Sequence, residues 1–188
     1  TASRTCGIPL NRSLSMMMPV LSLSPGATRL RRACYHAAHW PSRGRTGRAY
    51  VLKGYQGKIL RVDLAGRTVR EEPLAEADLA RFLGGRGLAA LFYHREIGAG
   101  VDALAPDNRL IFMTGPLAAT PLFAASKFEL ATRSPETRGY LCSNCGGDFG
   151  PRLKQAGWDG LVIEGVAGEW TWLSLDEGGV HFHSADSW

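Results

Sequence analysis

"GKILRVDLAGRTVREEPL", residues 57–74, reads as two strands joined by a tight turn. Ile59, Arg61 and Asp63 alternate with Leu60, Val62 and Leu64, the period-2 pattern of a half-buried strand. Ala65-Gly66-Arg67 turns the chain and Thr68-Val69-Arg70 returns it. Pro73 ends the return, because proline has no N–H to give a ladder. A strand that doubles straight back needs no crossover helix, so the chain opens as a hairpin and not as a βαβ unit.

The rest of the chain keeps that character. In "AEADLARFLGGRGLAALFYHREIG", Leu79, Phe82 and Leu83 fall at i, i+3, i+4, and Leu88, Leu91, Phe92 and Arg95 resume that spacing. Two helices are expected, broken at Gly84-Gly85. A buried strand follows at 109–113, then a Gly115-Pro116 turn. "SKFELATRSP" alternates Phe128, Leu130 and Thr132 and stops at Ser134-Pro135. "FGPRLKQAG" suits a short helix with Pro151 in its first turn and Gly157 at its end. "GLVIEGV" is an apolar strand, and the last twenty residues form a hairpin turning at Asp176-Glu177-Gly178-Gly179. Many strands with three short helices imply an α+β fold rather than a doubly wound sheet.

Residues 1–49 stand apart. They carry eight arginines and no Asp, Glu or Lys, and show no sustained periodicity. They read as a disordered or spurious leader, translated upstream of the true start, with an organellar targeting segment as second choice. Of the 22 Lys+Arg, removing these eight leaves 14 against 17 Asp+Glu, a net of −3, so the overall +5 belongs to the leader. The ordered part, residues 54–188, is mildly acidic and is expected to bind no nucleic acid. No apolar run is long enough to span a membrane. Four cysteines, two of them in the leader, make no disulfide framework, which points to a reducing, cytoplasmic compartment.

Two glycine-rich stretches are candidates for ligand contact. "GGRG", residues 84–87, lacks the spacing of a dinucleotide or P-loop fingerprint. Its glycines are helix breakers, or they admit a ligand close to the backbone with Arg86 facing an anion. In "SNCGGDFGPRLK", residues 143–154, small residues, Asn144 and Gly146-Gly147 precede a helix, a pattern able to cradle a phosphate. Cys142 and Cys145 within it form a C-x-x-C. Zinc needs two such knuckles, a thioredoxin-type pair opens its helix directly, and an iron–sulfur cluster needs more thiolates. The pair is therefore read as two small residues lining a tight turn. His181 and His183 are read as an exposed edge, and Glu71-Glu72 as solvated. No nucleophile–base constellation stands out, and no catalytic residue is assigned.

Together, "GKILRVDLAGRTVREEPL", "FLGGRGLAALFYHREI", "DALAPDNRLIFMTGPL" and "SKFELATRSPETRGYLCSNCGGDFGPRLKQAGWDGLVIEG" resemble, in that order, the tungsten-dependent aldehyde:ferredoxin oxidoreductases. The pattern N-x-GG-x-FG-x-x-L-K-x-AG-x-D is the most distinctive part. The resemblance runs from about Gly54 to Trp188 and implies a sheet-rich, partial N-terminal domain under a tungsten bis-pyranopterin, incomplete at its C-terminus. The implied reaction is oxidation of an aldehyde to a carboxylic acid, with electrons leaving through a [4Fe–4S] cluster to ferredoxin. It places a basic pterin contact at Lys127, where arginine is familiar; lysine keeps the charge but loses the bidentate fork. It places pterin binding at Asn144 and Gly146, with the Asn144 backbone on a magnesium that bridges the pterin phosphates. With the anion reading of the glycine-rich stretches, the candidate cofactor-binding residues are Arg86, Lys127, Ser143, Asn144, Gly146 and Gly147. Later domains of the same protein are expected to carry the cluster ligands, and a homodimer is a further expectation. Alone, this piece is expected to be inactive. Two alternatives are a tungstopterin subunit of an aromatic acyl-CoA reductase and a non-catalytic C-x-x-C metal or redox module.

Overall fold

The computed structural model describes residues 21–23, 54–176 and 179–185. Strand β1 is Leu21–Leu23, β2 Lys58–Asp63 and β3 Thr68–Pro73. Helices α1 (Glu76–Phe82) and α2 (Gly85–Glu96) follow, then β4 (Arg109–Thr114), β5 (Phe128–Arg133) and β6 (Tyr140–Cys145). Helix α3 (Phe149–Gln155), β7 (Gly160–Glu164), β8 (Thr171–Asp176) and β9 (Gly179–Ser184) complete the order. The expected α+β class holds, and both hairpins and all three helices form where the periodicity puts them. Glu177 and Gly178 of the expected last turn lie outside the described residues, as do Cys6, Cys34 and the leader arginines.

Two elements were not expected. Leu21–Leu23 pairs in parallel with Leu173–Leu175 of β8, so this part of the leader carries a strand. "YLCSNC" forms β6 where a tight turn was read. Its alternating faces, Tyr140, Cys142, Asn144 against Leu141, Ser143, Cys145, are both mixed in polarity, so no period-2 signal emerges.

The main sheet has six strands in the order β3-β2-β7-β4-β5-β6. Only β2–β7 is parallel among its pairings. A smaller sheet has the order β1-β8-β9. The main sheet is covered on both faces, which makes three layers. Ile59, Ile111, Met113, Ala131 and Val162 meet Leu79 of α1 and Leu88, Ala89 and Phe92 of α2. On the other face Leu60, Val62, Leu110, Phe112, Leu161 and Ile163 meet Leu153 of α3 and Leu173 and Leu175 of β8. Alternate residues of one strand therefore enter two different cores. Gly160 shows how tight this is: a Cβ there would lie 2.6 Å from the Phe112 carbonyl oxygen.

The central strands are thus not half-buried as the hairpin pattern implied. Arg61 is 5% exposed on the helical face. Its guanidinium takes Glu72 through Nε at 2.8 Å and both oxygens of Glu96 at 2.7 and 2.8 Å, with Glu164 at 3.2 Å. This network ties β2, β3, β7 and the end of α2 together. Glu72 is consequently an ion-pair partner rather than a solvated charge, and Glu71 meets Lys58 at 2.5 Å.

Candidate functional site

The candidate residues gather at one end of the main sheet, where α2 and β5 begin and β6 ends. Residues directly opposite in an antiparallel pair share a face. Glu129 faces Asn144, and Ala131 faces Cys142. Ala131 belongs to the core under α2, so Glu129, Asn144 and Cys142 lie on the α2 side as well. Tyr140 continues that row and meets the ring of Tyr93 edge-on, with centroids 4.9 Å apart. Lys127 immediately precedes β5 and is exposed. Arg86, in the first turn of α2, reaches to 3.6 Å from Glu129 Oε1. Gly146 and Gly147 follow β6, both exposed, with nothing within 4 Å of the place a Cβ would occupy.

Arg86 and Asn144 are therefore brought together on Glu129, while Lys127, Gly146 and Gly147 adjoin the paired ends of β5 and β6, where Phe128 meets Cys145. Ser143 is the exception. It lies opposite Leu130, whose side chain enters the other core, so the Ser143 side chain points away from the cluster. Its hydroxyl sits 4.0 Å from Cys145 Sγ on that far face.

The same alternation decides the C-x-x-C. Three residues apart on a strand means opposite faces. Cys142 looks toward α2 and Cys145 lies opposite Phe128, so the two thiols cannot share a metal or a disulfide, and both are free. Burial first, then the neighbouring Glu129 carboxylate, pushes the Cys142 thiol above its ordinary range. It stays protonated and donates to Glu129 Oε2 at 3.0 Å. Tyr140 is pushed up to about 12, mainly by burial. Neither group is activated as a nucleophile or ligand. The metal-module alternative therefore fails, and no group of three or more His, Cys, Asp or Glu suited to a metal ion occurs among the described residues.

Glu129 was missed by sequence reading. It is 7% exposed and receives Asn144 Nδ2 at 2.7 Å, the Cys142 thiol and the approach of Arg86. The signal was present in "SKFELATR": while Phe128 and Leu130 make one face, the other face of this strand carries Glu129 and Arg133 beneath a helix. Buried carboxylates need partners, and here they come from β6 and α2.

The glycines of "GGRG" have internal reasons. Gly84 has φ +112, and a Cβ there would sit 2.8 Å from the Thr114 carbonyl oxygen. Gly87 lets the first turn of α2 close onto the Phe82 carbonyl. Helix breaking and close packing thus explain these two without a ligand. Helix α3 contributes less than expected to an anion cradle. It has seven residues, and the preceding Asp148 already presents a carboxylate, 3.8 Å from Arg152.

The other distinctive letters of the motif, Lys154 and Asp159, form a buried ion pair, at 4% and 1% exposure. Asp159 Oδ2 also accepts the backbone N–H groups of Gln56 and Gly57 at 2.9 and 2.7 Å. Lys154 Nζ donates to the Gly115 carbonyl at 3.3 Å and stands over the Tyr55 ring. Burial drives its pKa down against the pull of Asp159. The pair holds the Gly115-Pro116 turn, which packs beside Gly84. On the smaller sheet His183 stacks on Trp172 and bonds Ser174, while His181 pairs with Asp176 at 3.0 Å.

Comparison with known proteins gives this arrangement a context. Residues 59–188 match the family model described as the aldehyde ferredoxin oxidoreductase N-terminal domain. The chain belongs to the aldehyde ferredoxin oxidoreductase family. Curated relatives include proteins named tungsten-containing aldehyde ferredoxin oxidoreductase from Pyrococcus abyssi, 40% identical over 132 residues, and Pyrococcus horikoshii, 38% identical over 132 residues. The match takes 70% of this chain and 22% of each of them. An aliphatic sulfonate oxidoreductase, WOR-like subunit, of Pyrococcus furiosus is 36% identical over 137 residues. Among solved structures, the active site complex BamBC of benzoyl coenzyme A reductase, in complex with 1,5-dienoyl-CoA, superposes with a TM-score of 0.68 at 29% identity. That match covers 71% of this chain and 20% of the other. The chain thus spans about a fifth of the length of the proteins it matches.

The residues present suit a phosphate-bearing ligand. Two cations are exposed at the sheet end, the glycine backbone is open on the side where a Cβ would stand, and β6 is an edge strand whose outer side has no sheet partner among the described residues. The chain offers hydrogen-bond donors, positive charge and access there, the requirements of an anion site.

Proposed function

We propose that this chain supplies part of the cradle for a tungsten bis-pyranopterin in an oxidoreductase that converts aldehydes to carboxylic acids. The observation that carries the reading is the meeting of Arg86 and Asn144 on Glu129 at the sheet end flanked by Lys127 and the open Gly146-Gly147 backbone, in a domain of this family. The bound group supplies the two-electron redox chemistry. Lys127 presents a point charge to a pterin phosphate, and Arg86 adds a second, partly neutralised by Glu129. The backbone at Asn144 would hold a magnesium ion, whose charge would offset that of the phosphates. The glycines let that backbone approach closely, since a side chain would fill the space they leave.

Electrons are proposed to leave through a [4Fe–4S] cluster to ferredoxin. Cys142 and Cys145 do not serve as a ligand pair for it, because they face opposite sides of β6. Catalysis is proposed to need the other domains of such enzymes, so the 188-residue chain alone is inactive. A cytoplasmic location and a homodimeric assembly complete the proposal.

The test is to express the intact enzyme with tungstate, measure tungsten and pterin per chain, and follow aldehyde-dependent dye reduction. Absence of both metal and pterin from folded protein sinks the reading. A second reading, reduction of an aromatic acyl-CoA, is favoured by the likeness to the benzoyl coenzyme A reductase complex. Turnover with aryl-CoA and none with aldehydes selects it.

A further inference from the structure

Glu129 is an odd residue for its place. A buried carboxylate beside a phosphate cradle repels the ligand, and it takes up part of the charge of Arg86 at 3.6 Å. It needs a reason that outweighs this. The hydrogen bonds supply one. The carboxylate oxygen Glu129 Oε1 accepts at 2.7 Å and requires a donor, so the atom of Asn144 facing it is Nδ2 and the amide cannot be turned round. Oδ1 therefore points away from Glu129. The second carboxylate oxygen is held by the Cys142 thiol at 3.0 Å, which stops Glu129 from swinging off. Glu129 itself is 7% exposed and fixed within the β5–β6 ladder, one pair in from its end.

We propose that Glu129 is a positioning residue for the cofactor site: it locks the Asn144 amide with its oxygen outward and steers the Arg86 guanidinium over the start of α2. The inference rests on the pterin-cradle reading and adds a polarity to it. Asn144 meets the ligand as an acceptor, so the ligand group at that point is a donor, an N–H or O–H of the pterin or its metal-bound water, while anionic groups lie toward Lys127. Glu129 touches no ligand and acts through Asn144.

A reciprocal exchange tests this. Glu129→Gln leaves two amides facing each other and frees the Asn144 amide to turn. Asn144→Asp sets carboxylate against carboxylate. The double variant Glu129→Gln with Asn144→Asp restores one hydrogen bond, now donated from 129, keeps a single negative charge, and still turns an oxygen outward. In the intact enzyme, each single variant should lose about tenfold in tungsten and pterin retained per chain after dialysis, the low end for partners that orient a ligand-binding residue. The double variant should recover most of it. Thermal midpoints are recorded alongside, because a merely structural role would follow them instead. If Glu129→Gln does not fold, Asn144→Asp and the double variant carry the comparison alone. Full retention in Glu129→Gln, or a double variant no better than the singles, overturns the inference. Asn144→Ala separates the two levels: retention unchanged there overturns the cradle reading as well, whereas a loss there with none in Glu129→Gln removes only the role of Glu129.

Discussion

Removing the carboxylate of Asp159 should cost more stability than removing the ammonium of Lys154, although the two form one ion pair. Asp159 Oδ2 accepts two backbone N–H groups, Gln56 at 2.9 Å and Gly57 at 2.7 Å, in addition to Lys154 on Oδ1. In Asp159→Asn the new amide presents a donor either to Lys154 or to those two N–H groups. In either orientation it leaves a cation that is 4% exposed without an opposite charge, beside the Gly115 carbonyl and the Tyr55 ring. An uncompensated buried charge costs about 3–5 kcal/mol. In Lys154→Met the carboxylate keeps both backbone donors, and the apolar stem is replaced by one of similar length. The loss is then one hydrogen bond to a charged group, about 1.5–3 kcal/mol. Relief of the lysine's own desolvation, the leading cause of its lowered pKa, offsets part of that. Urea unfolding of the two variants and their double measures the difference, with equal m-values as the control. Equal costs for the two single variants, or a cheaper Asp159→Asn, would refute the account of Asp159 as the hub and Lys154 as its dependent.

Gly160→Ala should destabilise by more than about 1 kcal/mol, since overpacking a filled core costs roughly 1–3 kcal/mol and the Phe112 carbonyl stands 2.6 Å from the added carbon; denaturant midpoints read this directly. Cys142→Ser and Cys145→Ser, singly or together, should leave tungsten retention intact, and mild oxidation should form no bond between the two thiols, as mass spectrometry of native protein can verify. A recovered Cys142–Cys145 disulfide contradicts the strand placement. Asp78, held below its ordinary range chiefly by its hydrogen bond from Arg95, bridges α1 to α2 at 2.6 Å. A depressed carboxylate contributes stability above its unfolded value of 3.8 and loses it as the pH falls through the folded value. The stability gap between wild type and Asp78→Asn should therefore be constant near neutrality and close on acidification; a gap that widens in acid contradicts the sign.

Strands and helices with a one-sided or apolar signature were legible in the sequence, because burial imposes a period. The first hairpin, the helix pair split at Gly84 and the "GLVIEG" strand all announce themselves this way. What escaped had no such period. Strand β6 is an edge whose two faces are both mixed, and Leu21–Leu23 is three residues in an arginine-rich context. The half-buried reading of β2 failed for a related reason: Arg61 looks like a solvent-facing residue until Glu72, Glu96 and Glu164 are brought around it. At the site, Asn144 and the glycines came from a motif, Arg86 from charge among glycines, and Lys127 from the family resemblance alone. Glu129 needed the cross-strand register, since nothing in its neighbours along the chain says that it will meet residue 144. Ser143 shows the converse, where a residue adjacent in sequence faces the other way in space.

The strand order also says something about how the chain must come together during synthesis. β7 sits between β2 and β4, and its parallel partner lies about a hundred positions earlier, Leu60 against Leu161. Until residue 164 has emerged, the β2–β3 hairpin and the β4–β5–β6 meander are two fragments with no shared ladder. Glu129 and Asn144 of the proposed site belong to the meander, which rests on local pairings, whereas the joining step closes a long loop and is expected to be the slow one. β7 behaves as a keystone: a nascent chain can shape its ligand-facing edge early, yet becomes one sheet only when "GLVIE" is wedged into the gap.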